Sequence, residues 1–382
     1  MKVKSSFGPN YKEFEIGEII FLAQEKALKL SNGTEIKNFP LAYQTYGKLN
    51  ADKSNAILIC HALTGDQYVA SNNPVTGKEG WWNFMIGEKK PIDTEKFFVI
   101  SSNVIGSCMG SFSPKEINPT NNKPYGIRFP AITISDMVQA QNLLVEHFGI
   151  KKLHAVIGGS MGGMQVLSWA ALHPQKSKIF IPLATSYRNS PQNIAFNEAA
   201  RQAILSDSNW HSGEYLAEKK YPTKGLAVAR MTANITYLSE SALQKKFGRE
   251  LQNKNNFSFS FDTEFQIESY LHHQAYNFVE RFDPNSYLYV TKAVDYFDLE
   301  KDFGGQLSNA FTGLIKNNDA KICLISFSDD WLFPPSEAKK ITHALLACGL
   351  NVSFVTITSS AGHDSFLIES DALKNTVQGF IN

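Results

Sequence analysis

Six short segments of this chain are apolar almost without interruption: residues 56–60 (AILIC), 97–104 (FFVISSNV), 153–158 (LHAVIG), 178–184 (KIFIPLA), 321–327 (KICLISF) and 352–357 (VSFVTI). A strand with one wet face alternates polar and apolar residues. A continuous run marks a strand covered on both faces, as in a parallel sheet. Between these runs lie helical patterns. In 135–149, Met137, Ala140, Leu144 and Phe148 share one helical face, with Ser135 placed as N-cap and Gly149 as the residue past the end. Residues 162–172 follow an apolar run and stop before Pro174, and 335–346 open on a proline suited to a first helical turn. Strand–helix alternation of this kind predicts an α/β fold with a mostly parallel central sheet.

The alternation fails between 187 and 296, where helix-like patterns recur at 194–205, 225–238 and 263–281. This predicts a core built from 1–186 and 297–382, with 187–296 as an inserted helical lid over the carboxyl edge of the sheet. Residues 103–130 are rich in Gly, Ser, Asn and Pro without periodicity, and structureless loops of that length are usually functional or disordered.

Composition narrows the class. Thirty-seven basic and 36 acidic side chains leave a net charge of +1 over 382 residues, which argues against nucleic acid or an anionic membrane as the main partner. No apolar run approaches the roughly 20 residues needed to span a bilayer. Cysteines 60, 108, 323 and 348 are widely spaced with no CxxC. They suggest reduced thiols in a cytoplasmic protein and no metal site.

The strongest chemical signal is Gly158-Gly159-Ser160-Met161-Gly162, a G-x-S-x-G motif with an apolar strand before it and a helix after it. The spacing suits a nucleophile elbow, in which Ser160 sits on a sharp strand-to-helix turn and the Met161 N–H opens a helix. In this arrangement the acid and then the histidine follow the serine. His363, in AGHDSF after the last apolar run, is the preferred base; His343 falls mid-helix. The acid should follow the run 321–327, and there Asp329 and Asp330 compete evenly. Upstream, CHALTGD follows the run 56–60. Its Leu63 N–H is assigned as the second oxyanion donor beside that of Met161, and His61 is given a loop-shaping role.

The segments NAILICHALTGD, NVIGSCMGSFSP, IGGSMGGMQ, GLAVARMTANITYLSE, SDDWLFPP and AGHDSF resemble, in order and spacing, the homoserine O-acetyltransferases of methionine biosynthesis. The resemblance runs from about residue 14 to the C-terminus. It implies an α/β-hydrolase fold with a helical lid and a homodimer formed through that lid. It implies Ser160 as nucleophile, His363 as base and Asp330 as acid, which breaks the tie. It implies Arg230 as clamp for the homoserine carboxylate, Asp364 as partner of the substrate ammonium, and Tyr237 as a wall of the same site. Acetyl-CoA would be a co-substrate, with no permanently bound cofactor. Phe112 stands where the family commonly has a threonine-glycine pair, which puts the acyl channel in question. Four alternatives stay open on the residues alone: succinyl-CoA as donor, serine as acceptor, a serine ester hydrolase, and a non-catalytic binding protein on the same scaffold.

Overall fold

The computed structural model describes residues 2–317 and 320–382. Its centre is a nine-stranded sheet: β1 (Lys2–Phe7), β2 (Lys12–Leu22), β3 (Phe39–Tyr46), β4 (Ala56–Cys60), β5 (Phe98–Ser102), β6 (Leu153–Gly159), β7 (Ser177–Leu183), β8 (Lys321–Phe327) and β9 (Val352–Ile357). The spatial order is β1-β2-β3-β5-β4-β6-β7-β8-β9. From β5 to β9 all neighbours are parallel, and these six are the strands expected from their continuous apolar runs. Three antiparallel strands, β1 to β3, extend the sheet beyond β5.

Side chains alternate across the sheet, so each buried strand feeds two cores. Leu58 and Ile100 pack with helices α1 (Ile134–His147) and α2 (Met161–Leu172) on one face. Ile57, Ile59 and Ile157 pack on the other face with Trp82 and with the C-terminal helix, which contributes Leu373, Val377 and Ile381. Helix α1 starts two residues earlier than expected, and its N-cap is Thr133 rather than Ser135. The Thr133 hydroxyl accepts from the Asp136 N–H, while the Asp136 carboxylate accepts from the Thr133 N–H at 2.8 Å, a reciprocal box that Ser135 is too far along to make.

Between β7 and β8 the chain runs through α3 (Pro191–Leu205), α4 (Tyr215–Glu218), α5 (Thr223–Tyr237), α6 (Glu240–Phe247), α7 (Gln266–Val279), α8 (Pro284–Tyr296) and α9 (Leu299–Asp302). An isolated antiparallel bridge joins Arg188 to Asp298, where this excursion leaves and returns. Helices α3 and α8 are tied by a buried ion pair, Arg201 to Asp295 at 2.7 Å. After β8 comes α10 (Pro335–Ala347), and α11 (Asp371–Ile381) ends the chain. No helix among the described residues is long and apolar enough to cross a membrane.

The segment 103–130 is neither disordered nor an open loop. Residues 103–109 and 111–114 are buried. Their backbone groups are satisfied by the core: Phe112 N–H donates to Pro40 C=O at 2.8 Å, and Gln67 Nε2 donates to Met109 C=O at 3.0 Å. Phe112 is packed among Phe39, Tyr125 and Phe129 and is not part of the lining of the cavity that contains Ser160.

Candidate active site

Ser160 joins β6 to α2 with φ 59° and ψ −124°, a conformation that costs energy for a residue with a Cβ. Its neighbours hold it there. Ser160 N–H donates to Leu183 C=O at 2.9 Å, and its own carbonyl accepts from Thr185 Oγ1 at 2.9 Å. The flanking glycines are required by contact: a Cβ on Gly162 would lie 2.1 Å from the Cys60 carbonyl oxygen, and one on Gly158 2.7 Å from the same atom.

Ser160 Oγ is 2.8 Å from His363 Nε2, and His363 Nδ1 is 2.8 Å from Asp330 Oδ2. The carboxylate fixes the tautomer: Nδ1–H donates to Asp330 and Nε2 is left to accept from the serine hydroxyl. Asp330 is oriented in turn, since its Oδ1 accepts from the N–H groups of Leu332 and Phe333 at 3.0 and 2.9 Å. Asp329 points away, to Ser241 Oγ at 3.2 Å. Burial opposes the charged form of His363, yet the adjacent Asp330 carboxylate, with help from Asp364, outweighs it and raises the imidazole above its ordinary value. Trp82 Nε1 donates to the Phe366 carbonyl at 2.7 Å and so anchors the loop that carries His363.

Leu63 and Met161 line the same cavity as Ser160, a narrow space of about 60 Å³. Met161 opens α2, so its N–H is one of those a helix leaves without an internal acceptor. His61 is buried behind this turn. Its Nδ1 is 2.7 Å from the Ala62 carbonyl, and its Nε2 accepts from Val104 N–H at 3.0 Å. Burial pushes its pKa down to about 4, so the ring is neutral and structural. His343 is exposed on α10.

Arg230 and Tyr237 are seven positions apart on α5 and therefore share a face. The Arg230 guanidinium lies 5.5 Å from the Tyr237 ring centre and 4.8 Å from that of Phe278. The Tyr237 ring is 6.1 Å from that of His363. Asp364 is close enough to feel both His363 and Arg230. Burial raises its carboxyl, and His363 when protonated, together with Arg230, partly offsets the rise. The structure thus brings all eight expected residues to the carboxyl edge of the sheet. It adds three that the sequence did not single out. Phe278 and Arg281 stand beside Arg230, and Tyr270 senses the charges of Asp364 and Arg230. Their only sequence signal is an aromatic-rich run, Y-L-H-H-Q-A-Y-N-F-V-E-R-F, which reads equally well as packing. A second cavity of about 440 Å³ adjoins the site and is lined by Thr64, Asp66, Trp81, Arg230, Phe278 and Arg281 among others.

Residues 55–370 match the family described as alpha/beta hydrolase fold. The homoserine O-acetyltransferase of Mesorhizobium japonicum is 56% identical over 363 residues, covering 95% of this chain and 92% of that protein. The crystal structure of homoserine O-acetyltransferase from Bacillus anthracis superposes with a TM-score of 0.85 at 27% identity, over 96% of this chain and 97% of that one. Esterase E22 superposes equally well, with a TM-score of 0.85 at 29% identity over 96% of this chain and 99% of that chain. The motif resemblance therefore extends over nearly the whole length, and the chain belongs to the homoserine O-acetyltransferase family of the α/β hydrolase fold.

Proposed function

We propose that this enzyme transfers the acetyl group of acetyl-CoA to the hydroxyl of L-homoserine in two steps through acetyl-Ser160, giving O-acetyl-L-homoserine for methionine biosynthesis. The observation that carries this reading is the Ser160–His363–Asp330 chain, closed at 2.8 Å on both links, beside a cation and a carboxylate set for a zwitterion. In the first step His363 Nε2 takes the Ser160 proton as Oγ attacks the thioester carbon. The oxyanion is met by the Leu63 and Met161 N–H groups, and His363 returns the proton to the departing thiolate. In the second step homoserine is held by its carboxylate on Arg230 and its ammonium on Asp364, with Tyr237 as the wall between. His363 takes the hydroxyl proton, the alkoxide attacks the acetyl carbon, and Ser160 leaves with the proton from His363. A guanidinium suits the first contact because it meets a planar carboxylate with two parallel N–H groups. No permanently bound cofactor enters these steps.

Acetyl is favoured over succinyl by the cavity beside Ser160. Among the described residues its lining combines Leu63, Phe196, Ala233, Leu332 and Phe333 with the neutral polar side chains of Asn189, Asn193, Asn197, Thr232 and Thr236, and it includes no Lys, Arg or His. A succinyl carboxylate there would lose its hydration and meet neutral donors but no counter-ion, which is unfavourable. We also propose that residues 187–296 act as the lid that excludes water, and that two cytoplasmic copies pair through it.

Mass spectrometry after exposure to acetyl-CoA alone, or succinyl-CoA alone, tests the reading. An acetyl adduct on Ser160 that homoserine discharges as its O-acetyl ester is the expected result, with serine discharging it far more slowly. A protein that acetylates without Ser160 would sink the two-step scheme. The likeness to esterase E22 gives a second reading, an ester hydrolase. Rapid release of acetate without any acceptor would favour it.

A further inference from the structure

The turn that carries the Leu63 amide is gripped from the helical insertion. Gly65 N–H donates to the Ala62 carbonyl at 2.9 Å, which makes residues 62–65 a tight turn with Leu63 and Thr64 at its apex. On the outer side, the Thr64 carbonyl accepts from Arg281 Nη1 at 2.9 Å, and Thr64 Oγ1 accepts from Arg230 Nη1 at 3.3 Å. Both guanidinium groups lie over the Phe278 ring, at 5.3 Å for Arg281 and 4.8 Å for Arg230. Buried Asp66, two residues past Thr64, opposes the charge of Arg281.

The two arginines are not equivalent. Arg230 makes one long bond, to a hydroxyl that can rotate, and its Nε is buried without a partner among the described residues. It retains donors for a ligand. Arg281 makes a shorter bond to a peptide carbonyl, which cannot move without moving the backbone of the turn. Its distance is in the range of a good N–H···O bond, whereas that of Arg230 is at the long end.

We infer that Arg281 is a positioning residue for acyl transfer: by holding the Thr64 carbonyl it aims the Leu63 N–H at the oxyanion. The inference rests on the two-step reading above. Under it, the core supplies Ser160, His363 and Asp330, and the insertion supplies the brace for half of the oxyanion hole. Loss of a whole oxyanion donor costs on the order of 100- to 1,000-fold in kcat, so a donor left in place but loosely aimed should cost about 10- to 100-fold.

The test is the single-turnover rate of acetyl-enzyme formation from acetyl-CoA alone, followed by quenched-flow mass spectrometry, in the full-length protein and in Arg281→Met and Arg281→Lys. Arg281→Met should acylate about 10- to 100-fold more slowly at saturating acetyl-CoA, with KM for acetyl-CoA unchanged and the thermal midpoint within a few degrees. Arg281→Lys keeps one donor for the Thr64 carbonyl but not the planar guanidinium, so it should acylate at a rate between those of Arg281→Met and wild type; should the methionine variant fail to fold, a lysine variant that acylates at the wild-type rate overturns the inference. Wild-type acylation in Arg281→Met overturns the inference. So does a lysine variant that acylates normally but shows a raised KM for homoserine alone, since Arg281 would then be a ligand of the acceptor. If the unaltered enzyme forms no acetyl-enzyme, it is the two-step reading that fails.

Discussion

Under the proposed two-step transfer, the protonation state of His363 decides when Ser160 can act as the nucleophile. The folded pKa lies above the ordinary imidazole value of 6.5 because the Asp330 and Asp364 carboxylates overcome the effect of burial. The working form is neutral, so acylation should rise with pH through a midpoint above 6.5. Removing the Asp364 charge removes one of the raising contributions. In Asp364→Asn the midpoint for Ser160 labelling by a fluorophosphonate should therefore move to lower pH, and an unmoved or higher midpoint would contradict the placement of Asp364. Asp330→Asn takes away both the larger charge and the acceptor that fixes the tautomer. Its acylation rate should fall by about 10⁴-fold with the fold intact, as judged by circular dichroism. Arg230→Met should leave acetyl-enzyme formation near wild type and lower kcat/KM for homoserine by about 100-fold or more, because it removes a charge-assisted bond made only to the acceptor.

At the level of elements, the site depends on how closely β6, α2 and the loop after β4 approach one another. Gly162 sits in that gap, where a Cβ would meet the Cys60 carbonyl oxygen at 2.1 Å. The blocking atom is backbone, so it cannot swing aside as a side chain would. Gly162→Ala should cost on the order of 2–3 kcal/mol in urea unfolding and displace the Met161 N–H, with acylation falling in parallel. These contacts also explain what the sequence disclosed. The six parallel strands were legible because burial on both faces leaves continuous apolar runs. Strands β1 to β3 were not, since β2 reads K-E-F-E-I-G-E-I-I-F-L, its apolar positions interrupted by four charged residues of which Lys12, Glu13 and Glu15 are exposed. The elbow was legible because steric exclusion confines its glycines to fixed spacing. The choice between Asp329 and Asp330 was not, because adjacent residues point to opposite sides and only the folded loop shows which side His363 occupies. Arg281 stayed hidden for a related reason: its partner, Thr64, is more than 200 residues away along the chain.

Across the whole molecule, the residues of the proposed acyl-transfer site come from four loops at one edge of the sheet, after β4, β6, β8 and β9, and the charges proposed to meet the substrate come from the insertion and the β9 loop. The turn after α5 closes these parts together. Trp331 Nε1 donates to the Leu238 carbonyl at 3.0 Å, and Gly362, with φ +75°, lies so close to Ser239 that a Cβ would stand 2.4 Å from its backbone nitrogen. The outer surface of the insertion is different in kind. Val228 and Ile235, seven positions apart on one face of α5, are 49% and 45% exposed, and Tyr276 on α7 is 61% exposed. Helices α5 and α7 pack on each other within the insertion. Aliphatic side chains repeated on one face of a helix favour burial against a like surface, and a two-fold dimer buries the same patch twice. Sedimentation should therefore report about twice the 42.6 kDa chain mass. The double variant Val228→Glu, Ile235→Glu would bring four carboxylates together in such an interface and should sediment as a single chain at micromolar concentration. Both positions are on the side of α5 away from Arg230 and Tyr237, so acetyl-enzyme formation should persist in the monomer. If the double variant instead sediments as wild type, the pairing surface is not this face of the insertion.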